Sequence, residues 1–280
     1  MNWMTAKALF SQTMSSVYDQ NEITSLYRLF LEDYLQVSPH VHLYTPQDEL
    51  NSIQMEKFNK GLSLLNQSAP IQYLTQKAFF CDLNFKVNSS VLIPRPETED
   101  LVRIIYDVHQ KRRAENLKIL DLGTGSGCIA IALKSMFKKA SVIGVDISQK
   151  ALDVAKYNAE FHKTPIDFVL EDLGDYRSDL TFDIIVSNPP YVLESEKVLM
   201  HPNVLNYEPE TALFVQDNDP LKYYKAIVQS INFGTLKTPS LFLEINPKCL
   251  DALIDLMKPL GAIEIHKDLS EKKRFIEVNI

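Results

Sequence analysis

Two short stretches of this sequence combine residue types and spacings that could do chemistry. The first is Asp121-Leu122-Gly123-Thr124-Gly125-Ser126-Gly127. Glycine is needed where backbone must turn tightly and approach a ligand closely. The chain has 8 glycines in 280 residues, about 3% against a usual ~7%, so three alternating ones in a single loop carry weight. The dinucleotide fingerprint G-x-G-x-x-G would place its third glycine on Cys128. The pattern here is G-x-G-x-G, preceded by an acid. A carboxylate beside the loop repels a pyrophosphate but attracts the ammonium of an amino-acid moiety, which favours S-adenosylmethionine over NAD. Asp146, nineteen residues after Gly127, ends the next strand-like run and can accept both ribose hydroxyls. After the third run, Asp172 can accept from the adenine amino group and Leu173 can form an apolar wall.

The second stretch is Asn188-Pro189-Pro190-Tyr191, at the end of the fourth strand-like run. Two prolines fix the backbone and give the Pro189 carbonyl a set direction. An NH2 group placed there could donate one hydrogen to the Asn188 side-chain oxygen and the other to the Pro189 carbonyl. Its lone pair would then point at a methyl group. Positioning matters for planar amino groups, whose delocalised lone pair is a poor nucleophile, and it can supply several kcal/mol of the barrier. Tyr191 offers a flat wall for a planar substrate. The tetrapeptide points to methyl transfer onto a conjugated NH2, and leaves glutamine or asparagine amide, adenine and guanine open.

These residues need strand ends to hold them. From Lys118 onward the sequence alternates strand-like runs (118–122, 141–145, 166–170, 182–187, 241–245, 262–266, 274–280) with helix-like runs (126–137, 149–161, 220–231, 248–257). Such alternation predicts a parallel sheet covered on both faces. The last two strands follow each other without a helix, which predicts an antiparallel edge hairpin. Upstream, Leu26, Leu29, Phe30, Tyr34 and Val37 recur at three- and four-residue steps, and Leu50, Ile53, Phe58, Leu62 and Leu65 follow a similar period. Residues 1–75 are read as a small helical domain. Residues 76–95 read as a β-hairpin linker, and 96–280 as the catalytic domain, opening with a helix over 97–113.

Composition narrows the classes. At 45% hydrophobic and 23% charged the chain is ordinary for a globular protein, and its length allows one large domain or two. Its net charge of −7 argues against a protein held to nucleic acid mainly through phosphates. Three well-separated cysteines make neither a disulfide framework nor a metal pair, which predicts a reducing, cytoplasmic setting. The six histidines are scattered, so no metal site is expected. No apolar run reaches the ~18 residues of a membrane span, and the first residues lack a signal-peptide layout. Trp3 is expected in the core.

With Asp121–Gly127, the Asn188–Tyr191 tetrapeptide resembles class I S-adenosylmethionine-dependent methyltransferases, which implies a Rossmann-like seven-stranded sheet. Val91-Leu92-Ile93-Pro94-Arg95-Pro96-Glu97-Thr98-Glu99, with Gln72-Tyr73-Leu74 upstream and Tyr207-Glu208-Pro209 downstream, is similar to the peptide chain release factor glutamine methyltransferase family over nearly the whole chain. The resemblance implies methylation of the glutamine amide in the GGQ motif of class 1 release factors. The chain is expected to act as a monomer, and its helical domain, which carries none of the glycine-loop or strand-end features, to recognise the protein substrate. It implies that Gly123, Thr124, Gly125, Ser126, Gly127, Asp146, Leu173 and Asn188 contact the cofactor, and that Asn188–Tyr191 hold the glutamine. The chain departs from the family in three places, one of them Leu173, which stands where an aromatic or another bulky residue can occur. Phe214-Val215-Gln216-Asp217-Asn218-Asp219-Pro220 replaces a G-G-x-D-G segment, and Phe233-Gly234-Thr235-Leu236-Lys237-Thr238-Pro239 replaces a Gly-Gly turn. The runner-up function is a DNA adenine or ribosomal RNA base methyltransferase that flips a base against Tyr191. Such an enzyme is expected to carry a basic face. A third reading, a non-catalytic cofactor-binding module at the ribosome, leaves the tetrapeptide idle.

Overall fold

A computed structural model describes residues 1–280, which divide into two compact units. One comprises Met1–Lys77 with His201–Tyr207; the other comprises Ala78–Met200 with Glu208–Ile280.

The first unit is helical: α1 (Trp3–Met14), α2 (Gln20–Leu29), α3 (Val41–Tyr44), α4 (Ser52–Asn66) and α5 (Ile71–Thr75). Side-chain caps start three of these helices. Asn2 accepts from the Thr5 amide, Asp19 accepts from the Asn21 and Glu22 amides, and Asn51 forms a capping box with Gln54, satisfying amides that have no partner inside a helix. The core is aromatic, with Phe10, Tyr27, Phe30 and Phe58 in ring contact. Trp3 is buried as expected, whereas Ile53 is 68% exposed. Gly61 permits a close approach: a Cβ there would lie 2.5 Å from ring atoms of Phe30 and Tyr34. The downstream segment His201–Tyr207 rejoins this unit, with the Tyr207 hydroxyl donating to the Gln67 carbonyl at 3.0 Å. No composition shift in the sequence announces that return.

The hairpin β1 (Lys77–Phe80) and β2 (Leu83–Lys86) turns at Cys81 and Asp82, both at positive φ, as a two-residue turn of primed type requires. It is built into the second unit's core instead of standing apart as a linker: Phe80 and Phe85 pack among Leu101, Ile105, Ile119 and Ile131. The run 91–93 is not a strand. It leads into α6 (Pro96–His109), with Pro96 in the first turn where its missing N–H costs nothing.

Next come β3 (Lys118–Leu122), α7 (Cys128–Met136), β4 (Ser141–Asp146), α8 (Gln149–Phe161), β5 (Asp167–Leu170), β6 (Ile184–Ser187), the short β7 (Val192–Leu193), α9 (Pro202–Leu205) in the first unit, β8 (Phe214–Val215), α10 (Lys222–Asn232), β9 (Ser240–Glu244), α11 (Leu250–Met257), β10 (Ala262–Lys267) and β11 (Lys273–Asn279). Seven strands form one sheet in the order β10-β11-β9-β6-β3-β4-β5. Its first five strands in the chain, β3, β4, β5, β6 and β9, are mutually parallel. Their central members are buried on both faces, which explains their near-continuous apolar runs. The C-terminal hairpin is antiparallel as expected, but β11 is inserted beside β9 and only β10 forms the edge. The atypical segment after Leu213 is ordered: β8 pairs with β7, and Asp217 accepts from the Ser195 amide and hydroxyl. Strand order reverses at β3, the point where open parallel sheets place ligands at their carboxyl ends.

Candidate active site

The glycine loop follows β3. Gly123, Gly125 and Gly127 have φ of +77°, +56° and +80°, the left-handed region that other residues enter only with strain. At Gly123 and Gly125 a Cβ would meet nothing within 4 Å, so conformation, not crowding, demands glycine there. The loop is tied down by the Gly123 and Thr124 amides donating to the Val145 carbonyl at 2.8 and 2.9 Å. The Gly125 amide donates to Asp146 Oδ2 at 2.8 Å. From α8, Asn158 braces the loop and the hairpin together, donating to the carbonyls of Ser126 and Lys86 while accepting from the Lys86 amide.

A cleft of about 190 Å³ opens at the carboxyl ends of β3, β4 and β6, lined by Gly123, Gly125, Asp146, Asp172, Leu173, Asn188 and Pro190 among others. Seven of the expected site residues are thus brought to one cavity. Asp121, Thr124, Ser126, Gly127, Pro189 and Tyr191 do not line it. Asp121, Thr124 and Ser126 are buried and scaffold the loop from behind: Thr124 Oγ1 donates to Asp121 Oδ2 at 2.6 Å. Asp121 Oδ1 is buried without a well-aligned hydrogen bond, and burial pushes this carboxyl up to about 7, against the Thr124 hydroxyl and the nearby Ala130 amide, which favour its charged form. A buried acceptor without a well-aligned bond beside the loop fits an ammonium donor, so the residues present suit an amino-acid-bearing cofactor such as S-adenosylmethionine.

Asp146 accepts one amide on each oxygen, from Gly125 and from Ser148 at 2.9 Å. Each oxygen retains acceptor capacity, as a ribose diol would need. Burial raises its pKa, and the two amide bonds partly offset the rise. Asp172 folds its own loop by accepting from the Gly174 amide at 2.8 Å.

At Asn188 the chain holds a buried relay. Asn188 Nδ2 donates to Thr98 Oγ1 at 3.1 Å, and Thr98 Oγ1 donates to Glu244 Oε2 at 2.8 Å. Glu244 Oε1 accepts from the Tyr191 hydroxyl at 2.9 Å. A hydroxyl that gives its one proton to a carboxylate can only accept from Asn188, so the Asn188 NH2 faces Thr98 and its oxygen is left for the cleft. Glu244 is 1% exposed. Burial raises its pKa, against the bonds from Thr98 and Tyr191. Tyr191 is therefore pinned through its phenol to the sheet, and its carbonyl accepts from Asn246 Nδ2 at 3.2 Å. The flat side chains at the cleft are Pro190, Pro209 and Tyr223 instead.

One further clamp shapes the rim. Glu208, 5% exposed, accepts from the Ile93 amide at 3.0 Å and pairs with Arg95 at 2.6 Å. This fixes the segment whose Ser90, Val91 and Leu92 line the cleft.

Residue chemistry alone did not single out Thr98, Glu244 or Tyr223. The available signal for Glu244 is a lone acid ending an otherwise apolar strand, Leu241-Phe242-Leu243-Glu244. Elsewhere the fold gathers one histidine with two acids. Ligand-type atoms of Glu264, His266 and Glu277 on the β10–β11 hairpin lie within 4.8 Å of one another, and His266 Nε2 and Glu277 Oε2 are hydrogen-bonded at 2.9 Å. None of the three lines the cleft. No helix is long and apolar enough to cross a membrane.

Comparison with known proteins bears on this geometry. The model of the methyltransferase small domain family matches residues 101–229. The chain is 40% identical over 275 residues to a release factor glutamine methyltransferase of Flavobacterium psychrophilum, covering 96% of each chain. It is 37% identical to a protein of that name from Bacteroides thetaiotaomicron, with all of both chains covered, and 41% identical to one from Lactococcus lactis over 83% of this chain and 85% of the other. Among solved structures, the hMettl16 catalytic domain bound to an RNA hairpin aligns with a TM-score of 0.56 at 15% identity, covering 70% of this chain and 74% of that one. A T. Thermophilus 16S rRNA methyltransferase aligns with a TM-score of 0.50 at 18% identity, covering 72% and 49%. At such identities the structural likeness supports the fold.

Proposed function

Since the chain belongs to the release factor glutamine methyltransferase family, we propose that it methylates the side-chain amide nitrogen of the glutamine in the GGQ motif of class 1 release factors. S-adenosylmethionine, as methyl donor, supplies a sulfonium-activated methyl group, so the protein need not provide a strong base. Gly123, Gly125, Asp146, Asp172 and Leu173 hold that donor, with Asp121 facing its ammonium from behind the loop.

Asn188 and Pro189 position the acceptor. The Asn188 side-chain oxygen takes one amide hydrogen and the Pro189 carbonyl, which accepts no hydrogen bond within the chain, takes the other. The acceptor lone pair is thereby aimed, and the entropy of alignment is removed before the transition state. The observation that supports this reading is the Thr98–Glu244 relay, which engages the Asn188 NH2 and leaves its oxygen free to accept from the glutamine amide.

The first unit, in this proposal, recognises the protein substrate. A glutamine side chain alone offers few contacts, so choosing one glutamine among many needs remote binding surface. The cleft residues all belong to one chain's second unit, so a monomer suffices. The three free cysteines fit work in the cytoplasm. The test is mass spectrometry of a GGQ-containing peptide after incubation with enzyme and S-adenosylmethionine. A single added methyl on the glutamine is expected. An unmodified peptide, with methylation of a nucleobase offered in parallel, would overturn the proposal in favour of a base methyltransferase.

A further inference from the structure

We infer that a cavity within the first unit is a binding site for an oxyanion, and that its working occupant is a carboxylate side chain of the protein substrate. This rests on the reading above that the first unit recognises that substrate. The cavity has a volume of about 350 Å³ and is lined by Lys7 and Ser11 of α1, Tyr27 and Arg28 of α2, and His40 and His42, with no carboxylate among its lining residues. That is a local inversion in a chain whose acids outnumber its bases 36 to 29.

Two buried donors in this wall have no partner. The Tyr27 side chain is 4% exposed, and its hydroxyl makes no hydrogen bond. His42 Nε2 lies 3.0 Å from the Lys7 ammonium. An ammonium can only donate, so Nε2 accepts and the ring proton sits on Nδ1. That Nδ1 is itself buried and unpartnered. Burial, then Lys7 and His40, lower the His42 pKa, in keeping with a neutral ring in this tautomer. The Tyr27 and His42 rings meet edge to face, with centroids 5.5 Å apart, so the two orphaned donors belong to one wall. Arg28 adds a second cation. Its only ion pair is a 3.7 Å approach to Glu32, with the arginine side chain 69% exposed, which leaves other guanidinium N–H groups for a ligand. Two neutral donors and two cations, with Glu32 only at 3.7 Å from Arg28 and no acid among the lining residues, make a receptor for acceptor-rich, negatively charged groups. Phosphate and carboxylate share that chemistry. A carboxylate on the partner protein is the source that would serve recognition.

The test uses the full-length enzyme in two arms. In the first, inorganic phosphate is titrated while the ring signals of His42 are followed by NMR. The signals should shift saturably in wild type, and the shift should be lost in Lys7→Gln and weakened in Tyr27→Phe, a change that removes only the hydroxyl. In the second, kcat/KM is measured on an intact release factor and on a short GGQ peptide. Lys7→Gln should lower the ratio of the two values about tenfold, through KM for the intact factor, and phosphate should inhibit methylation of the intact factor competitively. A His42 response to phosphate with an unchanged ratio would overturn the carboxylate assignment in favour of a free anion. An unresponsive His42 would overturn the site. Failure of wild type to methylate either substrate would instead refute the proposed function, while the phosphate arm would still report on the cavity.

Discussion

At Asn188, catalysis depends on which way a single amide faces. Thr98 sets that direction by spending its only proton on Glu244. Thr98→Val keeps the shape of the side chain but removes both bonds, and it leaves a fully buried carboxylate with one fewer donor. Loss of an aligned group that matters in the transition state costs on the order of 10²-fold. We expect kcat at saturating donor and peptide to fall by about that factor with KM for the donor unchanged, and Thr98→Ser to restore most of the rate. Equal rates for the valine and serine variants would refute the relay. Asp121 gives a prediction of opposite sign for stability. Its folded-state pKa of about 7 lies above the ordinary 3.8, so between about pH 4 and 7 the native state binds more protons than the unfolded chain. The donor-free enzyme therefore loses stability from this group as pH rises through that window. Asp121→Asn should raise the Tm of the donor-free enzyme at pH 8, by roughly 2–4 °C for each kcal/mol relieved, while weakening S-adenosylmethionine binding. Calorimetry at pH 5 and pH 8 should show the gap between variant and wild type widening with pH; a constant gap would remove Asp121 as its source. The glycines and Asp146 were legible in the sequence because strand-end chemistry is local. Thr98 with Glu244 was not, because the two lie 146 residues apart and meet only once the sheet is formed.

Elements hold these residues through a few specific ties. The segment before α6 carries no regular structure of its own, yet it supplies Ser90, Val91 and Leu92 to the cleft. The Glu208 carboxylate anchors it through the Ile93 amide and Arg95. Removing one partner of a buried pair costs up to about 3–5 kcal/mol, less here because Arg95 is 30% exposed and can rehydrate. Glu208→Ala is expected to destabilise the enzyme by roughly 2 kcal/mol in denaturant unfolding and to weaken donor binding as well. Unchanged donor affinity would mean that the segment keeps its place without the clamp. Strands and helices of the sheet were readable from periodicity: 118–122 and 149–161 coincide with β3 and α8. The position of β11 between β9 and β10 was not readable, because antiparallel insertion is decided by pairing partners far away in sequence. Residues 91–93, read as part of the 76–95 hairpin, form no strand because Val91 and Ile93 are buried and Val91 and Leu92 line the cleft instead of pairing with a neighbouring strand.

For the whole molecule, the division of labour between the units can be tested by truncation. A fragment beginning at Ala78 retains every cleft residue, and it should bind S-adenosylmethionine with an affinity close to wild type. It should methylate an intact release factor poorly, while its activity on a short GGQ peptide falls much less. Residues 201–207 lose their own unit in this fragment, so their replacement by a short polar linker belongs in the same comparison. Intact-factor kcat/KM unaffected by truncation would leave the first unit a structural role only. The central claim is that Asn188 aims the glutamine amide. The decisive measurement is the single-turnover rate of methyl transfer to the intact release factor at saturating donor and substrate, for wild type and Asn188→Ala. A loss on the order of 10²-fold or more is expected, with thermal stability nearly unchanged. An Asn188→Ala enzyme that keeps most of the wild-type rate would contradict it.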